Sequence, residues 1–191
     1  MRRDELDTPA SRTPSLAQVS TDAFDRIQIT KNISAPAKLM VSYGPGADDF
    51  PHRTEFTLHW NAQSKTYEAG FVAFRRFEDG EPITGASVRK VPLARIIEGV
   101  IDQTVRLDSE TKYGSVQSVF QLIQNRLTTE GRLKPDPETL ELVAIIFEYG
   151  QSRGRKSTKL VEDTFKLPTS TASHWVRLAK ERGHIEDVQT T

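Results

Sequence analysis

The chain has 191 residues, 36% hydrophobic and 27% charged, a composition that fits one or two folded domains and argues against a wholly disordered polypeptide. It contains no cysteine, which excludes disulfides, thiolate catalysis and cysteine-ligated zinc, and no apolar run approaches the ~18 residues of a membrane span. Its 26 basic and 26 acidic residues cancel, and with no hydrophobic stretch behind Arg2 and Arg3 the expected location is the cytoplasm.

Residues 1–23 are rich in Ser, Thr and Pro without an apolar period, and are expected to be a disordered tail. From Arg26 the apolar residues alternate. Ile27, Ile29 and Ile33 form one run, Leu39, Val41 and Tyr43 the next, Phe56, Leu58 and Trp60 a third, followed by the longer TYEAGFVAFRRF. Period two marks half-buried strands, so residues 26–78 read as a small, mostly antiparallel sheet with turns at YGPGADDFPH and NAQSK. After EDGEP the period changes. Leu93, Ile96, Ile97, Val100 and Ile101 follow Pro92 at helical spacing, and this helix is expected to cover one face of the sheet. Residues 24–107 thus form a β-rich α+β domain. Val116, Val119, Phe120, Ile123 and Leu127 give a connecting helix within 108–134, and TTEGRLKPDPE marks the boundary to a helical domain over 135–191.

Three helices follow Pro137: ETLELVAIIFEYGQS, STKLVEDTFK and TSTASHWVRLAKERG, the last ended by Gly183. The turn around Lys166-Leu167-Pro168-Thr169 has the length that sets two short helices at a steep angle, the geometry of a helix-turn-helix. Val161, Phe165, Leu167, Ala172 and Trp175 supply its small core. The expected fold is therefore α+β, a small antiparallel sheet with covering helices, followed by an all-α helix-turn-helix domain. On the last helix Ala172, Trp175, Val176 and Ala179 make one apolar stripe, so the opposite face is the one offered to a partner.

Charge points to who that partner is. Residues 151–182 hold eight basic and three acidic residues, +5 within a chain of zero net charge. A DNA reader needs positive charge beside its last helix, whereas a hairpin that docks protein shows apolar side chains there. Double-stranded DNA is the expected partner, bound without catalysis. Thr169, Ser170, Ser173, His174 and Arg177 are the expected base readers, Arg177 suiting guanine. Arg153, Arg155, Lys156, Ser157, Thr158, Lys159 and Lys180 are the expected phosphate contacts.

VEDTFKLPTSTASHWVRLAKERGHI resembles the C-terminal helix-turn-helix of a group of poorly characterised actinobacterial DNA-binding proteins, whose motif reads approximately VAExxGVSxSTAxxWVxxARexGLL. Val161, Phe165, Leu167, Ser170, Thr171, Ala172, Trp175, Val176, Ala179, Arg182 and Gly183 carry the likeness. The sheet and ITGASVRKVPLARIIE are similar to the N-terminal part of the same group. The resemblance implies a DNA-binding regulator whose N-terminal domain has no assigned activity. The chain departs from the motif at Glu162, where the group has Ala, and at Lys166, where it has Gly; small residues there are expected to let the two helices approach closely.

Other readings are weaker. LAQVSTD, residues 16–22, is similar to the nucleophile segment of serine recombinases, with Ser20 as nucleophile. Gln18 stands where that family has arginine, and ASRTPS where it has an apolar strand. His52, His59, His174 and His184 include no i, i+4 pair, so neither metal nor cofactor is expected. A hairpin docking a protein is the alternative to DNA. Finally, the helix over 138–152 has two apolar stripes, Leu140, Val143, Ala144 and Phe147 beside Leu142, Ile145, Ile146 and Tyr149. The surplus is expected to meet the N-terminal domain or a second copy, and a homodimer through residues 115–149 would set two reading helices on half-sites about 34–36 Å apart.

Overall fold

The computed structural model describes residues 17–20, 26–43, 52–64, 66–108, 111–154 and 156–186. In chain order it runs β1 (Ala17–Ser20), β2 (Arg26–Gln28), β3 (Ile33–Pro36), β4 (Lys38–Tyr43), β5 (Arg53–Asn61), β6 (Thr66–Arg75), α1 (Gly85–Arg89), α2 (Leu93–Thr104), β7 (Arg106–Leu107), α3 (Val116–Glu130), α4 (Pro137–Ser152), α5 (Ser157–Phe165) and α6 (Thr169–Glu181). Two small antiparallel sheets form the mixed α+β N-terminal region, and four helices, α3 to α6, form an all-α bundle after it.

The first sheet has the order β1-β4-β5-β6. Its alternation is the one read from the sequence: Leu39 and Val41 are buried opposite Leu58 and Phe56, while Met40 between them is exposed. α2 packs against β1, and Ile96, Val100 and Ile101 enter the same core. The strand β1 itself was hidden by composition, since Ala17–Ser20 lies in the stretch expected to be a tail; an edge strand whose backbone pairs with β4 needs little apolar period of its own. Residues 1–16 and 21–23 of that expected tail lie outside the described residues.

The run Ile27, Ile29, Ile33 is not one strand. It is the β2–β3 hairpin, closed where Ile29 and Thr30 both donate backbone N–H bonds to the Ile33 carbonyl, at 3.0 and 3.2 Å. Alternation continues through a tight polar turn and so does not reveal it. The hairpin and β7 make a second sheet of order β2-β3-β7, which the sequence had merged with the first.

α3 packs on both α4 and α5, so it belongs to the bundle and is not a connector. α4 is the central element. Asp136 caps it by accepting the Thr139 N–H at 2.7 Å, and Pro137 occupies its first turn. Both of its stripes are covered within the chain: Leu140, Leu142, Val143, Ala144, Ile145 and Ile146 are fully buried, against α3, α5, α6, β3 and β6. Tyr149 meets Phe120 edge-on at 5.9 Å. The apolar surplus that suggested a homodimer is therefore an intramolecular seam. One continuous core runs from the sheets through α4 into the helical hairpin.

Candidate nucleic-acid interface

Three local devices set the α5–α6 hairpin. At Gly150 on α4 a Cβ would lie 2.9 Å from the Ser157 Cα, so only glycine lets the start of α5 seat this closely. At the turn Lys166 adopts φ 52°, ψ 44°, the left-handed conformation. The sequence reading took the motif's glycine here as room for helix approach; the structure shows instead a backbone position where φ is positive, and Lys166 is the one non-glycine residue in that region among the described residues. At the far end, Gly183 with φ 73° closes a Schellman motif, its N–H bonding Lys180 O and that of His184 bonding Ala179 O, each at 2.9 Å. The hairpin core is the expected one. Val161, Phe165, Ala172 and Trp175 are buried, Leu167 is half-buried, and Phe165 meets Trp175 edge-on at 5.9 Å.

The stripe Ala172, Trp175, Val176, Ala179 faces inward. Thr169, Ser170, Ser173, His174, Arg177 and Lys180 are all exposed on the other side, and no exposed residue of α6 is apolar. An open groove of about 770 Å³ separates the beginnings of α5 and α6, lined by Phe147, Lys156, Ser157, Thr158, Lys159, Glu162, Thr169 and Ser173. Neither helix has a side-chain cap at its first residue, since Lys156 and Pro168 occupy the N-cap positions. The positive ends of both helix dipoles thus border the groove, which adds to the lysines in favouring an anion.

Several expected contact residues already have partners. Lys159 pairs with Glu162 and, at 3.1 Å, with Asp163, and these carboxylates raise its pKa. Thr169 Oγ1 donates to Glu162 at 2.8 Å. Lys159 and Thr169 together hold the Glu162 carboxyl below its ordinary range, so it is ionised at neutral pH. Glu162 is the residue sequence reasoning missed: it registered as a departure from a motif, and its seven-residue reach across the turn to Thr169 has no local signature. Arg177 pairs with Glu181 and lies 3.0 Å from His174 Nδ1. Lys180 sits over the Phe147 ring at 5.5 Å.

Arg153, expected at a phosphate, has its partners within the chain. Its side chain is only 13% exposed and turns toward α2, 3.0 Å from Asp102 and 3.6 Å from Glu98, across the face of Tyr149. The local charge count cannot tell an outward cation from one that pairs across a helix interface. Arg155 lies outside the described residues.

The sheet region holds the far end of α6. Lys31 Nζ, at the hairpin tip, donates to Gly183 O at 2.7 Å and pairs with Glu186, and Asn32 Nδ2 donates to His184 O at 3.3 Å. Among the described residues no group of three or more His, Asp or Glu is placed to hold a metal ion, and no helix is long and apolar enough to cross a membrane. Comparison with protein-family models, curated proteins and solved structures finds no match to this chain.

Proposed function

We propose that this chain binds double-stranded DNA through α5 and α6, without catalysing a reaction, and acts as a sequence-specific transcriptional regulator. The exposed face of α6 carries this reading: it is wholly polar, bears Arg177 and Lys180 beside the single carboxylate Glu181, and adjoins a groove formed by the first turns of two helices with Lys156 and Lys159 at its edge. α6 enters the major groove, Ser170, Ser173, His174 and Arg177 meet base edges, and the start of α5 meets a phosphate. A protein-docking hairpin would instead present apolar side chains on that face. The likeness of VEDTFKLPTSTASHWVRLAKERGHI to bacterial helix-turn-helix segments supports the same conclusion.

Selection of bound fragments from a random duplex pool, followed by titration of the preferred site across a salt series, tests it. Three to six phosphate contacts give a slope of log K against log salt of about −3 to −5. A slope near zero overturns the reading. Arg177→Ala costs about 1–3 kcal/mol on the preferred site and relaxes one base pair, while Lys156→Ala weakens all sequences alike.

A further inference from the structure

A helix lying in the major groove has a phosphate backbone on each side, the groove being about 12 Å wide. The Lys156–Lys159 groove serves one side only. A second groove, of about 550 Å³, runs between the end of α3 and the turn that precedes α6, lined by Leu127, Thr128, Arg132, Leu133, Phe165, Lys166, Leu167 and Pro168, with Gly131. Arg132 and Lys166 are exposed on its two banks, and no carboxylate lines it. Neither cation forms an ion pair with a described residue, in contrast to Lys159 and Arg177.

We propose that this second groove holds a DNA backbone phosphate, between Arg132 and Lys166. Two observations converge on it. The first is charge: the Lys156–Lys159 groove already holds Glu162, which engages Lys159 and Thr169, so the anion site free of internal competition is this one. The second is backbone. Lys166 keeps a long cationic side chain at a left-handed position where glycine fits without strain, and strain retained at one residue is accounted for by what that residue contacts. Leu133, Phe165 and Leu167 form the apolar floor that fixes the two banks relative to each other.

The inference rests on DNA binding, and its test separates the two. Full-length protein is titrated against a fluorescein-labelled mixed-sequence duplex across a salt series, as wild type, Lys166→Gly, Arg132→Gln, the double variant and Lys38→Gln. Lys38 is exposed at the start of β4, a strand that packs on β1 and β5. Each groove variant is expected to flatten the slope by about 0.9 and the double variant by about 1.8, while Lys38→Gln leaves it unchanged. Lys166→Gly suits the local backbone, so its effect is not one of misfolding. A double variant with the wild-type slope overturns the groove assignment and leaves DNA binding standing. An equal change in Lys38→Gln overturns it too, because the slope then reads overall charge. A wild type that does not bind the duplex overturns both.

Discussion

Asn32 gives two hydrogen bonds to one buried oxygen of Glu148, from its backbone N–H at 3.1 Å and from Nδ2 at 3.0 Å. Thr30 Oγ1 adds a third at 2.8 Å, while the other carboxylate oxygen has no partner. Glu148 lies on α4, Asn32 at the tip of the β2–β3 hairpin, and the same Asn32 amide reaches His184 beyond the end of α6. One carboxylate therefore ties the sheet region to the central helix, and through its partner to the helix proposed to read DNA.

Burial raises the Glu148 pKa above its ordinary 4.5, against the opposing pull of the Thr30 and Asn32 hydrogen bonds and the Lys31 charge. The folded chain then binds this proton more tightly than the unfolded chain. The stability contributed by the group is full below the ordinary value and is lost as pH rises through the folded value. Glu148→Gln, which stays neutral and keeps an acceptor oxygen, is expected to gain stability relative to wild type as pH rises, measured by urea unfolding from about pH 4 to about pH 8. Glu148→Ala leaves three donors without an acceptor and costs about 3 kcal/mol or more at every pH in that range. A Gln variant that tracks wild type at all pH values shows the carboxyl to be unperturbed by folding.

Lys166→Gly tests the turn apart from DNA. A non-glycine residue at φ 52° costs about 1 kcal/mol relative to glycine, partly offset by the greater freedom glycine gives the unfolded chain. The variant is expected to be more stable by up to about 0.5 kcal/mol, and Lys166→Val less stable by more than about 1 kcal/mol, because β-branching tolerates the left-handed region worst. Equal denaturant midpoints for all three would mean that the turn relaxes away from this conformation.

What the sequence made legible is what short-range periodicity encodes. The burial of Leu39, Val41, Phe56 and Leu58 and the inward stripe of α6 follow from spacing within one element, and the Phe165–Trp175 core from two such elements joined by a short turn. Two of the pairings that escaped that periodicity join partners far apart in sequence. Arg153 meets Asp102 about fifty positions away, and Thr30 meets Glu148 across more than one hundred, so neither pairing leaves a local trace. The two stripes of α4 were visible, but a surplus of apolar surface does not name what covers it; here five elements of the same chain do. The exposed residues of the candidate interface were legible because a helix with one buried face has only one other to offer.

Arg153 gives a direct contrast between charge counting and geometry. Arg153→Ala removes a mostly buried guanidinium from Asp102, Glu98 and the Tyr149 ring, and is expected to cost about 1–2 kcal/mol, the partners' partial exposure limiting the loss. The slope of DNA affinity against salt stays at the wild-type value. A flattening of about 0.9 with unchanged stability returns Arg153 to the phosphate contacts.

Glu162 is the remaining test, because it places a negative charge where a phosphate is proposed to approach. Its carboxylate engages Lys159 and Thr169 and stays ionised at neutral pH, so it both repels the backbone and reduces what Lys159 can give. Glu162→Gln keeps an acceptor for the Thr169 hydroxyl and releases Lys159. Affinity for duplex DNA is expected to rise roughly two- to fivefold at low salt, with the slope steeper by about 0.9 and the gain fading as salt increases. Glu162→Ala should do the same for affinity, but it frees Thr169 and so changes sequence preference where Glu162→Gln does not. If both variants bind more weakly, Glu162 acts by holding Thr169 and Lys159 in a DNA-binding arrangement, and the carboxylate is then a positioning residue of the interface and not its opponent.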